Sequence, residues 1–130
     1  MKTLTKISAL GLALACLSSL PGCIVAAAGA GAAGAAYVMG DLEGTVNGTP
    51  QRVIEVSKEV LEEKELRDVH GDATGIDGSA SARLASDTKV EIHVNRRDDK
   101  TCKISIRVGT FGDEKLSQDL YDRIRAKLPA

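Results

Sequence analysis

Charged side chains are distributed very unevenly along this chain of 130 residues. Lys2 and Lys6 are the only charged residues among positions 1–40, and the other 33 of the 35 formal charges lie between residues 41 and 130. The length allows one ordinary domain. The asymmetry places that domain in residues 37–130 and leaves a nearly uncharged N-terminal segment with a different role.

The composition excludes nucleic acid as an expected partner. The formal net charge is −1, whereas neutralising phosphates requires a surplus of Lys and Arg. Tyr37, Phe111 and Tyr121 are the three aromatic residues of the chain, which has no Trp. They leave little for base stacking or for an aromatic-lined pocket.

The N-terminus has the pattern of a secretory signal peptide. Lys2 and Lys6 form a basic start, residues 7–20 are uncharged and mostly apolar, and Leu20-Pro21-Gly22-Cys23 follows. A basic start, an apolar stretch and a small residue before the cleavage site are the three parts of such a signal. We therefore predict that residues 1–22 are a signal peptide.

Leu20-Pro21-Gly22-Cys23 resembles the lipobox of bacterial lipoproteins, with Leu at −3, Gly at −1 and the lipidated Cys at +1. Pro21 departs from the pattern, which prefers a small residue such as Ala or Ser at −2. The resemblance implies cleavage after Gly22, a thioether-linked diacylglycerol on Cys23 and acylation of its new amino group, for example by palmitate. Acyl chains contribute about 0.8 kcal/mol per buried CH₂, and two or more chains anchor a protein stably. The lipid bilayer is thus the first expected partner.

Two alternatives to this assignment stay open. Cys16, preceded by Ala13-Leu14-Ala15, is a second candidate lipidation site, although Ala is a poorer residue at −3 and this site would shorten the apolar stretch. Residues 7–39 also carry no charge, so an uncleaved helix of the about 20 apolar residues that span a bilayer is the other alternative. Against it, Pro breaks helices, and polar or helix-breaking residues interrupt the run near its middle: Ser18, Ser19, Pro21 and Gly22.

Residues 24–36 form a low-complexity tract of Ala and Gly after two apolar residues, and with Cys23 they predict a tether over residues 23–36. As flexible coil this tract would reach about 20 Å. The alternative is a helix that packs through small residues four positions apart. In enterobacterial-type lipoproteins, Asp after the lipidated Cys signals retention in the inner membrane. Ile24 at that position implies the outer membrane, facing the periplasm, if the host is a Gram-negative bacterium of that kind.

Residues 36–46 alternate between apolar and polar side chains, which predicts one half-buried strand with Val38, Leu42 and Val46 on its apolar face. Asn47-Gly48 indicates a turn, and Thr49 followed by Pro50 indicates the start of a helix. The apolar side chains of that helix share one arc of its surface: Val53, Ile54, Val56, Val60 and Leu61.

Residues 70–78 are rich in Gly and Asp and are predicted to form a loop. Three alternating segments follow, with apolar faces at Ala80, Ala82 and Leu84, at Val90, Ile92 and Val94, and at Ile104, Ile106 and Val108. Asp113 is placed to cap a final helix, whose apolar stripe is Leu116, Leu120, Tyr121, Ile124 and Leu128. The order β-α-β-β-β-α predicts an α+β fold, a four-stranded antiparallel sheet with two helices packed on one face. We expect Phe111 to be the one large ring of its core.

The segment from Ile104 to Glu114, with its Gly-Thr-Phe-Gly-Asp-Glu stretch, and the following Leu116-Ser117 resemble the most distinctive part of a family of small bacterial lipoproteins. That family is catalogued only as a domain of unknown function. The resemblance also covers the lipobox, the Ala/Gly spacer, the strand predicted over residues 37–46 and the whole C-terminal half. It implies placement in the cell envelope and supplies no catalytic residues.

The cysteines allow no disulfide within the mature chain. Cys16 lies in the predicted signal peptide and Cys23 would carry lipid, so Cys102 stands alone. An unpaired cysteine in an oxidising compartment is either a tolerated, buried thiol or the source of a disulfide between chains.

Candidates for other chemistry are few. His70 and His93 lack a second ligand at metal spacing, and the loop with Asp72 and Asp77 lacks the spacing of a calcium-binding loop. Residues 109–113 join a strand to a helix, as phosphate loops do, but without the Lys-Ser/Thr pair of a Walker A motif. We therefore predict no catalytic, metal-binding or cofactor-binding residue.

The outward face of the sheet is predicted to carry mixed charges: Asp41, Glu43, Arg83, Lys89, Glu91, His93, Lys103, Ser105 and Arg107. Opposite charges on neighbouring strands stabilise a solvated face. Alternatively, this face or an exposed strand edge docks an envelope partner, the edge by strand addition. The expected function is that of a lipid-anchored structural or protein-interaction module rather than an enzyme. The alternative is a periplasmic binding module for a small apolar or lipid-like ligand between sheet and helices.

Overall fold

A computed structural model describes residues 35–130 of the chain. Its elements are strands β1 (Ala35–Val38) and β2 (Asp41–Asn47), helix α1 (Pro50–Glu63), strands β3 (Arg67–Ala73), β4 (Asp77–Arg83), β5 (Lys89–Arg96) and β6 (Thr101–Val108), and helix α2 (Glu114–Lys127). The predictions for Gly22, Cys23, the signal peptide and most of the tether lie outside the described residues. Within residues 35–130, neither helix is long and apolar enough to cross a membrane.

The strands form one antiparallel sheet in the order β1-β2-β6-β5-β4-β3. Alternate residues of a strand share a face, so the apolar side chains of β2, β4, β5 and β6 line one side of the sheet. Both helices cover that side, α1 over β3, β4 and β5 and α2 over β2 and β6. Twenty buried hydrophobic residues fill the layer between sheet and helices. The placement of both helices on one face of an antiparallel sheet agrees with the predicted α+β class.

Local signals set the start of each helix. Thr49 is extended, its hydroxyl accepts a hydrogen bond from the Arg52 amide, and Pro50 takes the first position of α1. Asp113 caps α2 in the same way, with its carboxylate accepting a hydrogen bond from the Leu116 amide. The predicted apolar arc of α1 is confirmed, since all five of its residues are buried.

The large ring of the core is Tyr121, so the prediction that assigned this role to Phe111 was wrong. Tyr121 is fully buried on α2, and its hydroxyl donates a hydrogen bond to the Thr45 carbonyl at 2.9 Å. Burial of the phenol raises the pKa of Tyr121. Phe111 lies in the loop between β6 and α2 and is 93% exposed.

Residues 36–46 form a hairpin and not the single strand that was predicted. Met39 and Gly40 connect β1 to β2 with positive φ angles of 51° and 93°, the sign pattern of a two-residue type I′ turn. The hairpin pairs Tyr37 with Leu42 and Val38 with Asp41. Directly paired residues share a face, so Val38 lies on the polar face with Asp41. In one continuous strand, Val38 would lie on the same apolar face as Leu42.

Residues 70–78 belong to a second hairpin, β3–β4, so the prediction of a loop there was wrong. The predicted four-stranded sheet is consequently wrong as well, because the two hairpins make it six-stranded. Gly and Asp disfavour strands, but here α1 lies so close that a Cβ atom on Gly78 would come within 2.6 Å of Ile54 Cγ1. Glycine permits this approach. The element order is β-β-α-β-β-β-β-α, in place of β-α-β-β-β-α.

The two helices are joined by an ion pair that makes the stability of the domain depend on pH. Lys64, which follows α1, donates a hydrogen bond to the Asp119 carboxylate on α2. This hydrogen bond lowers the pKa of Asp119, as does a second one from Arg123 within α2. Substitution of Asp119 removes both. An unfolded Asp has a pKa of about 3.9. The stabilisation is therefore fully present above that value and is lost as the pH falls through the lower pKa of the folded state.

We expect Asp119→Asn to lower the free energy of unfolding by about 0.5–1 kcal/mol at pH 7, because the pair is partly exposed and screened by water. The deficit should shrink when the pH is brought below about 4. Urea unfolding at pH 7 and pH 3 measures both values. Asp122→Asn is the matched control, since the Asp122 carboxylate accepts its hydrogen bond from Gln118 within α2. An equal deficit for Asp119→Asn at the two pH values would contradict the assignment.

Candidate functional site

Two connections meet at the end of the sheet that also holds the β4–β5 turn. The turn Met39-Gly40 joins β1 to β2, and residues 109–113 join β6 to α2. They start from neighbouring strands, since Asp41 pairs with Arg107. We call residues 38–40 and 109–112 the sheet tip.

The guanidinium of Arg107 holds the two parts of the sheet tip together. Its Nε and Nη2 donate hydrogen bonds to the Asp41 carboxylate at 2.7 and 3.1 Å. Nη2 also donates to the Met39 carbonyl at 3.1 Å, and Nη1 donates to the Thr110 carbonyl at 3.0 Å. The hydrogen bond with Asp41 raises the pKa of Arg107. A planar, two-pronged contact of this kind restrains geometry as well as charge, so one side chain fixes both connections.

The backbones of the two connections also touch. A Cβ atom on Gly112 would lie 2.4 Å from the Gly40 carbonyl oxygen and 2.3 Å from the Tyr37 hydroxyl. Gly112 has a φ of 81°, which L side chains rarely adopt. The close contact between the two connections therefore requires glycine at position 112.

Large apolar side chains are exposed at the sheet tip. Met39 is 92% exposed, Phe111 93% and Val38 49%. Among the described residues, the other large hydrophobic side chain with high exposure is Ile76 at 70%, in the β3–β4 turn at the opposite end of the sheet. Single exposed apolar residues are ordinary, whereas a group of them marks a surface for interaction.

The open face of the sheet is polar and ordered in cross-strand rows. One row contains His70, Ser81, Glu91, Arg107 and Asp41, and the next contains Asp72, Ser79, His93, Ser105 and Glu43. Ion pairs cross or follow the strands at Lys103–Glu43, Arg107–Asp41 and Lys89–Glu91. The Lys89 hydrogen bond lowers the pKa of Glu91. The predicted outward face of mixed charge is confirmed.

The histidines lie in different rows of this face. No group of three His, Cys, Asp or Glu side chains within residues 35–130 is arranged to hold a metal ion. Asp72, Ser79 and His93 are neighbours in one row, but Ser79 stands between the other two. A nucleophilic relay needs the imidazole between the hydroxyl and the carboxylate, and this row has a different order.

The Cys102 thiol is fully buried and hydrogen-bonded, which agrees with the prediction of a tolerated, buried thiol. Its Sγ donates a hydrogen bond to the Gly48 carbonyl at 3.2 Å. Burial raises the pKa of the Cys102 thiol. A protonated, enclosed thiol is a poor nucleophile, so a disulfide between chains would require the fold to open first.

Sequence reasoning missed the sheet tip. Arg107 was predicted to be one polar residue of the outer face, and Phe111 was assigned to the core. A usable signal was present in Met39-Gly40, because a Gly that interrupts alternation between two short strands indicates a two-residue hairpin. The contact between residues 40 and 112 has no comparable local signal.

A family model described as a protein of unknown function (DUF3568) matches residues 6–127. The matched range includes the sheet, both helices and the sheet tip, together with most of the nearly uncharged N-terminal segment. No curated protein matches the chain. One family model thus matches both the N-terminal segment and the domain.

Proposed function

We propose that this chain, which belongs to the family of proteins of unknown function DUF3568, is a lipid-anchored protein of the bacterial cell envelope. Its domain would act there as a structural or protein-interaction module, facing the periplasm and held in the outer membrane if the host is Gram-negative. The observation that carries the proposal is Leu20-Pro21-Gly22-Cys23 at the end of the uncharged N-terminal stretch. The family match supports it by including that stretch with the domain.

The open sheet face supports an interaction role better than the strand edges do. β1, at one edge, has four residues. β3, at the other edge, is interrupted between Arg67 and His70 by an irregularity in register, with Asp68 at a φ of 52°. Short and bulged edge strands resist the addition of another strand. The polar rows of the open face remain accessible and present both signs of charge to a protein partner.

We propose a binding module rather than an enzyme. The row of Asp72, Ser79 and His93 has the wrong order for a relay. The alternative of an apolar ligand between sheet and helices has a groove available between α1 and β3, but charged side chains make up much of its lining: Glu55, Lys58, Glu59, Glu62 and Asp72. Such a lining suits an apolar ligand poorly.

Mass spectrometry of protein purified from the membranes of its host tests the anchor. We expect a chain that begins at Cys23 and carries a diacylglycerol and an acyl group. Cys23→Ser should abolish both the lipid and the cleavage after Gly22, while Cys16→Ser, the matched control, should leave processing unchanged. An intact segment of residues 1–22 on the parent protein would overturn the proposal.

Site-specific photo-crosslinking in intact cells tests the interaction role. A crosslinking residue at His93, exposed on the open face, should capture a reproducible protein partner. The same residue at Asp122, exposed on α2, is the matched control and should not. Equal capture from both positions, or capture from neither, would contradict docking at the open face.

A further inference from the structure

We infer that the sheet tip is a second membrane contact, which inserts Met39 and Phe111 into the interface of the bilayer that holds the Cys23 anchor. The inference rests on the proposed function, since it requires the domain to be tethered to a membrane. It adds a binding surface of stated chemistry, apolar side chains against lipid, to an anchor that lies elsewhere in the chain.

Met39 occupies a turn position at which a residue with a side chain lowers the stability of the fold. A two-residue turn with positive φ at both positions favours Asn, Asp or Gly at the first, because L residues with a Cβ are strained there. Met39 adopts a φ of 51° and exposes 92% of its surface, so it gains no packing in return. Strain without a folding benefit points to a use outside the fold.

Phe111, on the other connection of the sheet tip, shares the exposure of Met39 but not its positive φ. It is the one Phe of the chain, and it is 93% exposed while Tyr121 fills the core. Arg107 holds the carbonyls of Met39 and Thr110 in place. The two apolar side chains are thus presented from a restrained backbone, and little further ordering is needed on binding.

The chain that precedes β1 favours a bilayer as the occupant. Eleven residues, 24–34, separate Cys23 from Ala35, and a chain of that length spans at most about 40 Å. Ala35 and Met39 are four residues apart along β1, about 13 Å. The sheet tip therefore lies within reach of the membrane to which Cys23 would be anchored. A short tether gives an effective concentration on the order of millimolar, so a weak apolar contact is enough.

The charges of the sheet tip favour apolar insertion over attraction to anionic headgroups. The Arg107 guanidinium is already engaged by Asp41 and two carbonyls. Asp113 and Glu114 add negative charge at the start of α2. The β4–β5 turn, which lines the same surface as Phe111, carries both signs of charge at Arg83, Asp87 and Lys89. We therefore expect insertion into zwitterionic phosphatidylcholine bilayers as well as into anionic ones.

Because the chain has no Trp, Phe111→Trp introduces a single reporter. The full lipidated protein, isolated from host membranes, is reconstituted into phosphatidylcholine vesicles with bromine-labelled acyl chains. We expect the indole of Phe111→Trp to show a blue shift and a loss of emission through bromine quenching. Ile76→Trp, in the turn at the opposite end of the sheet, is the matched control and should show neither.

A second variant separates insertion from folding. Met39→Asn in the Phe111→Trp protein should lower the ratio of inserted to free tip by about tenfold, since one apolar side chain is lost. The same change should raise the denaturant midpoint of unfolding, because Asn suits the turn. A loss of quenching in a more stable protein cannot arise from unfolding.

The outcomes distinguish the two proposals. Flotation with the vesicles and equal quenching of the two indoles would overturn the membrane contact and leave the anchor intact. A protein that neither floats nor carries acyl chains on Cys23 would overturn both. A blue shift without bromine quenching that grows with protein concentration would indicate a second copy of the chain on the sheet tip, and would overturn contact with lipid.

Discussion

Replacing Ile104 by Ala is expected to lower the free energy of unfolding by about 2–5 kcal/mol, as large-to-small substitutions in packed cores do. Ile104 is fully buried in β6, between β2 and β5. Its direct neighbours across the sheet are Gly44 and Val94. Gly44 has no side chain that could move into the space left by the truncation, so the cavity is expected to persist.

The adjacent residue provides the control for this prediction. Ser105 has its side chain on the open polar face, and Ser105→Ala should change the free energy of unfolding by less than about 0.5 kcal/mol. Thermal unfolding followed by circular dichroism should give a midpoint for Ile104→Ala at least about 8 °C below that of the parent. Similar midpoints for the two variants would contradict the assignment of the buried face.

The parts of the fold that sequence predicts well are those specified within a few residues. Thr49 with Pro50 and Asp113 mark both helix starts, because a cap is made by the residue and the amide three positions on. The central strands and their buried side are also predicted correctly, because successive side chains of a strand point to opposite faces. The alternating residues are Val90, Ile92 and Val94 in one strand and Ile104, Ile106 and Val108 in the other.

The elements that were mispredicted depend on contacts between distant parts of the chain. Gly71 and Gly78 resemble loop residues locally, but they lie in strands because α1 packs directly over them. Phe111 is hydrophobic enough for a core, and only the position of its loop beyond the end of β6 leaves it exposed. The hydrophobicity of a residue shows that its exposure to water is unfavourable. It does not show whether the residue lies in the core or on a surface for interaction.

In the candidate site too, features set by local sequence were predicted and features set by contacts between distant residues were not. Alternation predicted the open face correctly, including Glu43, Glu91 and Arg107. It did not predict the role of Arg107, whose hydrogen bonds reach Met39 and Asp41, 68 and 66 residues away in the chain. The sheet tip is created by this long-range contact and by the close approach of Gly112 to Gly40.

Gly112→Ala is the substitution expected to damage the sheet tip most. Its φ of 81° would place an L residue in the left-handed region, at a cost of about 1–2 kcal/mol. The added Cβ would also stand 2.7 Å from Gly40 Cα and 2.4 Å from its carbonyl oxygen. These are backbone atoms that cannot rotate away, so the two connections must separate. Together the strain and the overpacking should lower the free energy of unfolding by about 2–4 kcal/mol.

Gly75→Ala is the matched control for Gly112→Ala, because a Cβ at residue 75 would meet no atom within 4 Å. Urea unfolding should separate the two variants clearly, with Gly75→Ala close to the parent. Hydrogen exchange adds a local measurement, since separation of the connections should speed exchange of amides around residues 39–41 and 107–113 before the rest of the sheet is affected. Unchanged exchange in Gly112→Ala would mean that the two connections do not depend on each other, and the sheet tip would then not act as a single restrained surface.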